Sequence, residues 1–493
     1  MGRYTKLYKM KSYYNLTEAL SAINEKVELS SEVRSTMQKS VDFLNKYLSE
    51  ASAPVYGVNT GFGSLQNVVI DSNQLSELQR NLLITHAAGT GDYLKTSLVQ
   101  KMLWLKLYNM SKGHSGIRPL IFERLVAMLN QKTYPLIPEQ GSLGASGDLA
   151  PLSHMVLPII GLGQLHDTLN DKIITGAEWL KRNDFEPVEL QAKEALALIN
   201  GTQFMLAHAL EMYEDFQKID EKLDLICAAS WDGFDCRMDP VHKGIHEIRP
   251  HKFQQEWAQR INALLSESNI SKTIKKQVQD PYSFRCVPQV HGASYTALEH
   301  CFNVWEVELN SVTDNPNVLE EYNAVLSGGN FHGQPLALTL DYAAMALAEL
   351  ANISERRTYL LISGQRGLPP YLVENAGLDS GYMIAQYSAA SMVSQNKQLC
   401  TPASVDSIMS SNGQEDHVSM GANSATKLLK VLQNTKNVLA IEWLCAVRSL
   451  AFRADKTAPQ IEKLKQSFEE KINLNHQNIP MSELIANSLE YLF

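Results

Sequence analysis

A serine at position 146 lies in a segment of small residues, Gly144-Ala145-Ser146-Gly147-Asp148. A serine between glycines is typical of the nucleophile elbow of hydrolases, which has the pattern Gly-x-Ser-x-Gly. Here Asp148 stands where the second glycine is required, so the segment does not match that elbow. Taken alone, the segment predicts a glycine-rich loop.

Other common catalytic and cofactor motifs do not fit the sequence. The glycines at positions 57, 61 and 63 do not follow the Gly-x-Gly-x-x-Gly spacing of dinucleotide-binding loops, and there is no Walker loop. His242 and His246 have the spacing of a metal-binding pair on a helix, but no third ligand is suitably spaced. We therefore expect no metal ion and no nucleotide cofactor.

The longer stretch from Gly141 to His154 resembles the signature of the aromatic amino acid ammonia-lyase family. In that family an Ala-Ser-Gly tripeptide cyclises and loses two waters to give 4-methylideneimidazole-5-one (MIO), an electrophile. The resemblance implies that Ala145, Ser146 and Gly147 form this group. The residue types suit the chemistry, because glycine lacks a β-carbon and can enter a crowded ring, while serine carries the hydroxyl that is eliminated.

Two further segments match family motifs that surround the reacting atoms. The segment from Tyr56 to Gly63 resembles the mobile inner loop, which implies that Tyr56 is the catalytic base. A tyrosine can remove a proton if nearby charges or dipoles lower its pKa. Leu198-Ile199-Asn200-Gly201-Thr202 resembles the motif whose asparagine contacts the substrate and the cofactor. An asparagine side chain offers both a donor and an acceptor to a polar intermediate.

Three later segments complete the resemblance, which covers nearly the whole chain. Gln279-Asp280-Pro281-Tyr282-Ser283-Phe284-Arg285-Cys286 implies a catalytic Tyr282, a substrate-contacting Gln279, and an Arg285 that binds the substrate carboxylate. Arginine is suited to this role because its guanidinium binds a carboxylate through two parallel hydrogen bonds. Asn330-Phe331-His332-Gly333 places Phe331 in the pocket, and Gln414-Glu415-Asp416-His417 supplies Glu415.

The side-chain pocket indicates which amino acid is used. Members of the family that act on histidine pair a histidine with the glutamate of the last motif, and this sequence has His86 and Glu415. An imidazole ring has a donor and an acceptor, so two polar partners suit it, whereas a phenylalanine ring would leave the carboxylate unpaired. The resemblance thus implies conversion of L-histidine to trans-urocanate and ammonia, a reaction of histidine catabolism.

Two alternatives remain open on the sequence. One is a related lyase or aminomutase acting on tyrosine or phenylalanine, since Thr85 and Thr401 depart from the histidine pattern and a histidine at position 86 can also bind a phenol. The other is an inactive homologue that serves as a binding or structural protein, although every expected chemical residue is present. Whether the amine or the ring of the substrate attacks MIO is likewise undecided.

The elements that must position these residues are mostly helical. Apolar residues recur at spacings of three and four at positions 298, 302, 305 and 309, at positions 336, 340, 343, 347 and 350, and between Leu428 and Cys445. The pattern predicts an all-α fold, an elongated bundle of long central helices with a loop-rich N-terminal active-site region. We divide it into residues 1–200, which carry the inner loop and the tripeptide, and residues 201–493, the helix bundle, acting as one cooperative lyase unit. One short hairpin is expected at residues 164–176.

Composition limits the partners and the compartment. The 493-residue chain carries a formal net charge of −9 and no obvious basic face, which argues against binding to nucleic acid. No signal peptide is apparent at the N-terminus, and the most apolar stretch is interrupted by prolines and glycines, so we expect no membrane association. Six scattered cysteines without a Cys-x-x-Cys pair favour the reducing cytoplasm. The family resemblance implies a homotetramer whose active sites are shared between subunits.

Overall fold

The structure, a computed structural model, describes residues 9–50, 54–474 and 479–493, and α-helices dominate it. The predicted all-α class is therefore confirmed. In chain order the α-helices are α1 (Leu16–Ile23), α2 (Ser31–Glu50), α3 (Leu75–His86), α4 (Thr96–Ser111), α5 (Pro119–Asn130), α6 (Leu149–Val156), α7 (Gly176–Arg182), α8 (Glu194–Ile199), α9 (Gln203–Gly233), α10 (Lys243–Glu247), α11 (Lys252–Leu265), α12 (Tyr282–Arg285), α13 (Val287–Leu309), α14 (Gln334–Leu361), α15 (Met383–Leu399), α16 (Gly421–Leu450), α17 (Pro459–Lys471) and α18 (Met481–Leu492).

Short antiparallel strands form three small sheets among the described residues. They are β1 (Thr90–Tyr93) with β3 (Pro138–Gln140), β2 (Thr133–Pro135) with β4 (Gln164–Asp167) and β5 (Lys172–Thr175), and β6 (Asn317–Leu319) with β7 (Ala324–Leu326). The predicted hairpin is confirmed as β4–β5, with Gln164 opposite Thr175 and Asp171 at a φ of 49° in the turn. The other strands were not predicted, because three or four residues are too few for a period-two pattern.

The described chain divides into two compact units. The first unit comprises the described residues up to Glu211 together with Phe302–Leu340 and Pro402–Thr426. The second unit comprises Met212–Cys301, Asp341–Thr401 and the described part of Lys427–Phe493.

The first unit is built around the helix α4. Its side chains are buried on all sides along most of its length, as expected for a helix without a polar face. Tyr14 packs edge-on against Trp104 and Tyr108 of α4, with ring centroids 5.3 and 5.0 Å apart. In the same unit α3 packs against α6 and α8. These three shorter helices carry or flank His86, Ser146 and Asn200.

The apolar residues spaced three and four apart lie on long helices and most of them are buried, which confirms the helices predicted from that spacing. Leu340, Ala343, Leu347 and Leu350 of α14 are fully buried, as are the stripe residues of α16 from Leu428 to Cys445. One described helix, α14, is long and apolar enough to cross a membrane, but 67% of its most apolar stretch is buried inside the structure. The protein core therefore accounts for its apolar character.

Candidate active site

The first unit brings most of the predicted site residues to one cavity of about 520 Å³. Six predicted residues are among those that line it: Tyr56, His86, Ser146, Asn200, Phe331 and Glu415. A second cavity of about 400 Å³ shares four of these residues and adds Ala145. The sequence motifs that carry them are up to 359 positions apart (Tyr56 to Glu415), so the fold alone assembles this cluster.

The tripeptide lies in the loop between β3 and α6, where the main chain makes a very close approach. Gly147 has a φ of 76° and pairs with Gly201 as an isolated parallel bridge, while the Asp148 N–H donates to the Gly201 carbonyl at 2.7 Å. A β-carbon at Gly147 would collide with the Gly201 main chain. Only glycine fits both the backbone angle and the space. This geometry suits a residue whose amide nitrogen must enter a ring, so the tripeptide fits the predicted cofactor.

Asn200 holds the tripeptide from the other side. It is the C-terminal cap of α8, and its side-chain N–H donates to the Ser146 carbonyl at 2.5 Å. Its own carbonyl Oδ1 is buried and has no hydrogen-bond partner among the described residues. A buried amide oxygen without a partner is costly, so this atom is available for a ligand that donates a hydrogen bond.

Lys106, which the sequence analysis did not single out, fixes the position of Asn200. Its ammonium is fully buried and donates to the main-chain carbonyls of Ala197 and Asn200, both at 2.9 Å. Burial lowers the pKa of Lys106 to about 7. The available signal was a lysine within a largely apolar segment, which the sequence analysis did not use.

Asp148 supports the loop from behind. Its carboxylate accepts hydrogen bonds from the Phe204 and Met205 main chain at 3.0 and 3.1 Å, at the start of α9, and from Ser142 at 3.3 Å. A carboxylate at a helix N-terminus is favourable because the unpaired N–H groups there attract negative charge. Burial nonetheless raises the pKa of Asp148 to about 7. This residue anchors the tripeptide to α9.

Glu415 contacts the tripeptide directly. Its Oε1 accepts a hydrogen bond from the Ser146 hydroxyl at 2.8 Å, and its Oε2 accepts one from the Ser410 hydroxyl at 2.7 Å. No lysine or arginine forms an ion pair with Glu415 in the described part of the chain. The carboxylate is therefore held by two hydroxyl groups, without a neutralising cation.

Tyr56 and His86 line the cavity with perturbed pKa values. Burial raises the pKa of Tyr56, the hydrogen bond from the Gly63 N–H to its hydroxyl (3.3 Å) opposes this, and the Glu415 charge adds to the rise. The lowered pKa that a tyrosine base needs is thus not present in this environment. Burial lowers the pKa of His86, against smaller opposing effects of the Leu82 main chain and of Glu415. His86 is therefore neutral near neutral pH.

The structure places the remaining predicted residues in the second unit. Tyr282 and Arg285 belong to α12, and Gln279 precedes it. Arg285 donates to the Gln279 side chain, and its guanidinium lies 4.6 Å from the centre of the Tyr282 ring. None of the three lines either cavity, and the described lining residues include no lysine or arginine.

Among the residues that the structure describes, no cluster of three or more His, Cys, Asp or Glu side chains could hold a metal ion. His246 instead contacts the Pro240 carbonyl at 2.9 Å and the Gln254 side chain at 3.0 Å, and His242 caps the N–H of Gly244. These contacts account for the histidine pair as structural.

Comparison with known protein families shows which family this chain matches. The profile of the family described as aromatic amino acid lyase matches residues 14–470. The chain belongs to this family. The histidine ammonia-lyase of Symbiobacterium thermophilum is 45% identical over 457 residues, which is 92% of this chain and 90% of that protein. The histidine ammonia-lyase of Alkaliphilus oremlandii is 46% identical over 429 residues, 86% of this chain and 84% of that one. This lyase therefore acts on a carbon–nitrogen bond.

Solved structures of the same fold extend the comparison. Histidine ammonia-lyase from Trypanosoma cruzi superposes with a TM-score of 0.89 at 38% identity, over 98% of this chain and 92% of that one. The phenylalanine aminomutase of Pantoea agglomerans superposes with a TM-score of 0.92 at 29% identity, over 98% of both chains. Lyases and aminomutases thus share the fold of this protein, and the residues in the cavity must distinguish them.

Proposed function

We propose that this lyase converts L-histidine to trans-urocanate and ammonia, using an electrophile made from Ala145, Ser146 and Gly147. The observation that carries the proposal is the contact of Glu415 with Ser146, in a cavity that His86 also lines. Two polar side chains beside the tripeptide match a substrate ring with two nitrogens. The identity of about 45% to histidine ammonia-lyases supports the same substrate.

MIO, once formed from the tripeptide, supplies an electron-poor methylidene carbon that activates the substrate for loss of ammonia. The chain's own residues prepare this site. Asn200 donates to the Ser146 carbonyl oxygen at 2.5 Å, and a donor at that oxygen stabilises negative charge that develops there. Lys106 and Asp148 hold Asn200 and the loop in register. An ordinary glycine-rich loop would not explain why the buried Lys106 ammonium donates to the main-chain carbonyls of Ala197 and Asn200.

His86 and Glu415 are proposed to bind the imidazole ring of the substrate. Glu415 is half-buried and has no cation partner among the described residues, so an apolar ring beside it would leave a carboxylate poorly solvated. A nitrogen heterocycle can instead donate a hydrogen bond to it. Phe331 borders the same cavity and provides an apolar wall for the flat face of the ring.

The substrate carboxylate needs a cation, which we propose comes from Arg285 of another copy of this chain. Arg285 lies in the second unit, and its Nε is buried without a hydrogen-bond partner in the part of the chain that the structure describes. The segment around it exposes large apolar side chains, with Ile274, Val278 and Tyr282 at 99%, 91% and 71% exposure. Exposed apolar groups of this size favour a protein interface. We accordingly propose a homotetramer with shared active sites, in which Gln279 and Tyr282 also reach the substrate.

Tyr56 is proposed to remove the β-proton. Its pKa is raised in the environment of the single chain, chiefly because the side chain is buried. The positive charge of Arg285 in a shared site would act in the opposite direction, since a cation favours the phenolate. The base and the carboxylate-binding residue would then depend on the same assembly.

The six cysteines support a reducing compartment. All are free thiols, and four of them are buried. Unpaired buried cysteines are usual in the cytoplasm and unusual in secreted proteins, so we propose a cytoplasmic location.

The test is to mix purified protein with L-histidine and follow urocanate by its ultraviolet absorbance, with L-tyrosine and L-phenylalanine in parallel. Urocanate from histidine alone is expected. Coumarate or cinnamate would keep the mechanism but replace the substrate. Absence of any product, together with absence of the near-ultraviolet absorbance of the cofactor, would identify an inactive homologue.

A tyrosine-acting lyase or aminomutase is the second candidate. The observation that favours it is the free ring nitrogen of His86 in the cavity, because a phenol hydroxyl could donate to it as well as an imidazole N–H. Solved tyrosine aminomutases superpose on this chain with TM-scores of 0.90 and 0.91 at 30% identity. A β-amino acid among the products of L-tyrosine would support this candidate.

A further inference from the structure

Thr85, the residue before His86 on α3, lies between a main-chain carbonyl and the histidine ring. Its hydroxyl oxygen is 2.8 Å from the Asn81 carbonyl oxygen and 3.5 Å from that of Leu82. The same oxygen is 3.2 Å from Nδ1 of His86. Thr85 also lines the larger cavity.

The positions of the hydrogens follow from these distances. A hydroxyl has one hydrogen, and a carbonyl oxygen can only accept. The short contact to Asn81 therefore takes the Thr85 hydrogen, which leaves the hydroxyl lone pairs facing His86. Nδ1 must then carry the ring hydrogen and donate it to Thr85. In a neutral imidazole the other nitrogen, Nε2, is a lone-pair acceptor.

Glu415 adds a second acceptor to the pocket. Its Oε2 is occupied by the Ser410 hydroxyl, and its Oε1 by the Ser146 hydroxyl. The proposed maturation of the tripeptide eliminates that second hydroxyl as water, so Oε1 loses its donor. The ring of the substrate would then meet a lone pair at His86 and another at Glu415.

We propose that Thr85 is a positioning residue that fixes His86 as an acceptor, and that binding of a neutral imidazole side chain consequently takes up one proton. This inference rests on the proposed function. A neutral imidazole has one donor nitrogen and one acceptor nitrogen. Its donor nitrogen can satisfy either His86 or Glu415, but its acceptor nitrogen would then face the lone pair of the other residue. One added proton, on the ring or on the Glu415 carboxyl, turns that contact into a hydrogen bond.

Other titratable groups near α3 are already engaged. On α6, His154 accepts from the Gly89 N–H at 3.0 Å, and Asp148 at its start is bonded to α9. On α8, Glu194 pairs with Arg118 at 2.7 Å. Tyr56 shares the cavity and has a raised pKa. His86 itself is held neutral by burial, which lowers its pKa, so Glu415 is the group that faces it with a charge.

The test uses trans-urocanate as the probe, because it carries the ring and the carboxylate but no amino group to complicate the proton count. Its binding to the wild-type holoenzyme is measured by calorimetry at about pH 8 in buffers of different ionisation enthalpy, where a free imidazole, with a pKa of about 6.5, is neutral. We expect uptake of one proton per site, and an apparent Kd that rises about tenfold per pH unit above neutrality.

Two variants assign the effect to Thr85. Thr85→Ser keeps the hydroxyl and should take up the same proton as the wild type. Thr85→Val has nearly the same shape but cannot accept from Nδ1. The Leu82 carbonyl is then the remaining acceptor for that nitrogen, so His86 can carry its hydrogen on Nε2 and donate it to the ring more readily than in the wild type. For Thr85→Val we expect proton uptake to fall below one per site and the pH dependence of Kd to flatten.

The outcomes separate the inference from the proposed function. Urocanate bound by the wild type without proton uptake, or equal uptake by Thr85→Val and Thr85→Ser, would overturn the inference while leaving the substrate in place. A wild-type enzyme that neither makes nor binds urocanate would overturn the proposed function, and the inference with it. The wild-type measurement does not depend on the folding of any variant.

Discussion

Each unit of the molecule holds a carboxylate at least partly out of contact with water, but with different partners. In the second unit, Glu442 is fully buried and receives two hydrogen bonds from Arg357, at 2.5 and 2.8 Å, and one from Ser230 at 2.7 Å. In the first unit, the Glu415 side chain accepts hydrogen bonds, among the described residues, only from the hydroxyls of Ser146 and Ser410. The first arrangement is complete without a ligand. The second gains from a ligand that brings a donor, and this difference separates a structural charge from a functional one.

The largest effect should come from removing the hydroxyl that contacts Glu415. Ser146→Ala cannot eliminate water, so no electrophile forms, and we expect turnover to fall by at least about 10⁴-fold, within the range of rate factors that enzymes supply. The near-ultraviolet absorbance of the cofactor should disappear while the circular dichroism spectrum is retained. Ser49→Ala, at an exposed serine of α2, is the matched control and should keep both signals.

Tyr56→Phe should have the next largest effect. Loss of a general base lowers kcat by about 10² to 10⁴-fold. The cofactor absorbance should remain, because Tyr56 does not contact the tripeptide through any described hydrogen bond. The phenolate is the basic form of Tyr56, so the wild-type rate should increase with pH as the phenolate becomes populated. The pH–rate profile of Tyr56→Phe should lack that increase, and a profile unchanged from wild type would assign the base elsewhere. Tyr322→Phe, at an exposed tyrosine, is the control.

Glu442→Gln tests the structural side of the comparison. The change leaves the Arg357 charge buried without its partner, which typically costs about 3–5 kcal/mol of unfolding free energy. Chemical denaturation should report this loss, while the cofactor absorbance per folded molecule stays the same. Glu469→Gln removes an i,i+4 pair with Lys465, partly exposed, and should cost no more than about 1 kcal/mol. Equal losses in the two variants would contradict the importance of the buried pair.

Glu415→Gln should give the smallest effect and the opposite pattern. No buried cation depends on this carboxylate, so stability should be nearly unchanged. A charged hydrogen bond to the substrate is worth about 1.5–3 kcal/mol, so kcat/KM for histidine should fall roughly 10- to 100-fold. A gain in tyrosine turnover, in an enzyme that never used histidine, would mean that the substrate assignment is wrong.

The helices were predictable because their stripes repeat over many turns. Leu336 to Leu350 follow spacings of three and four over four turns, and the structure buries every member of the stripe. The β4–β5 hairpin was predictable from Asn170-Asp171, because these residue types tolerate turn conformations. The strands β1, β2, β3, β6 and β7 were not, since each has only three or four residues, which is too few for a period-two pattern.

The family resemblance identified the chemical residues, but it could not have predicted the contacts between them. The motifs indicated that Ser146, Asn200 and Glu415 take part in the site. They did not indicate that Asn200 binds the Ser146 carbonyl while Glu415 binds its hydroxyl. Lys106 has no local motif, because a buried lysine is recognised only when its acceptor carbonyls, some 90 positions away, are known. The reversed pKa shift of Tyr56 likewise depends on burial, which the sequence does not record.

The contact between Ser146 and Glu415 also determines how soon after synthesis of Ser146 the site can be assembled in a newly made polypeptide. The two residues are 269 positions apart, and ribosomes add about 5–20 residues per second, so Glu415 is synthesised roughly 10 to 50 s after Ser146. During that interval the serine on the nascent chain has its neighbours in sequence but not its neighbours in space. A nascent chain must therefore remain inactive until Glu415 has been synthesised, and chains truncated before Glu415 should stay inactive.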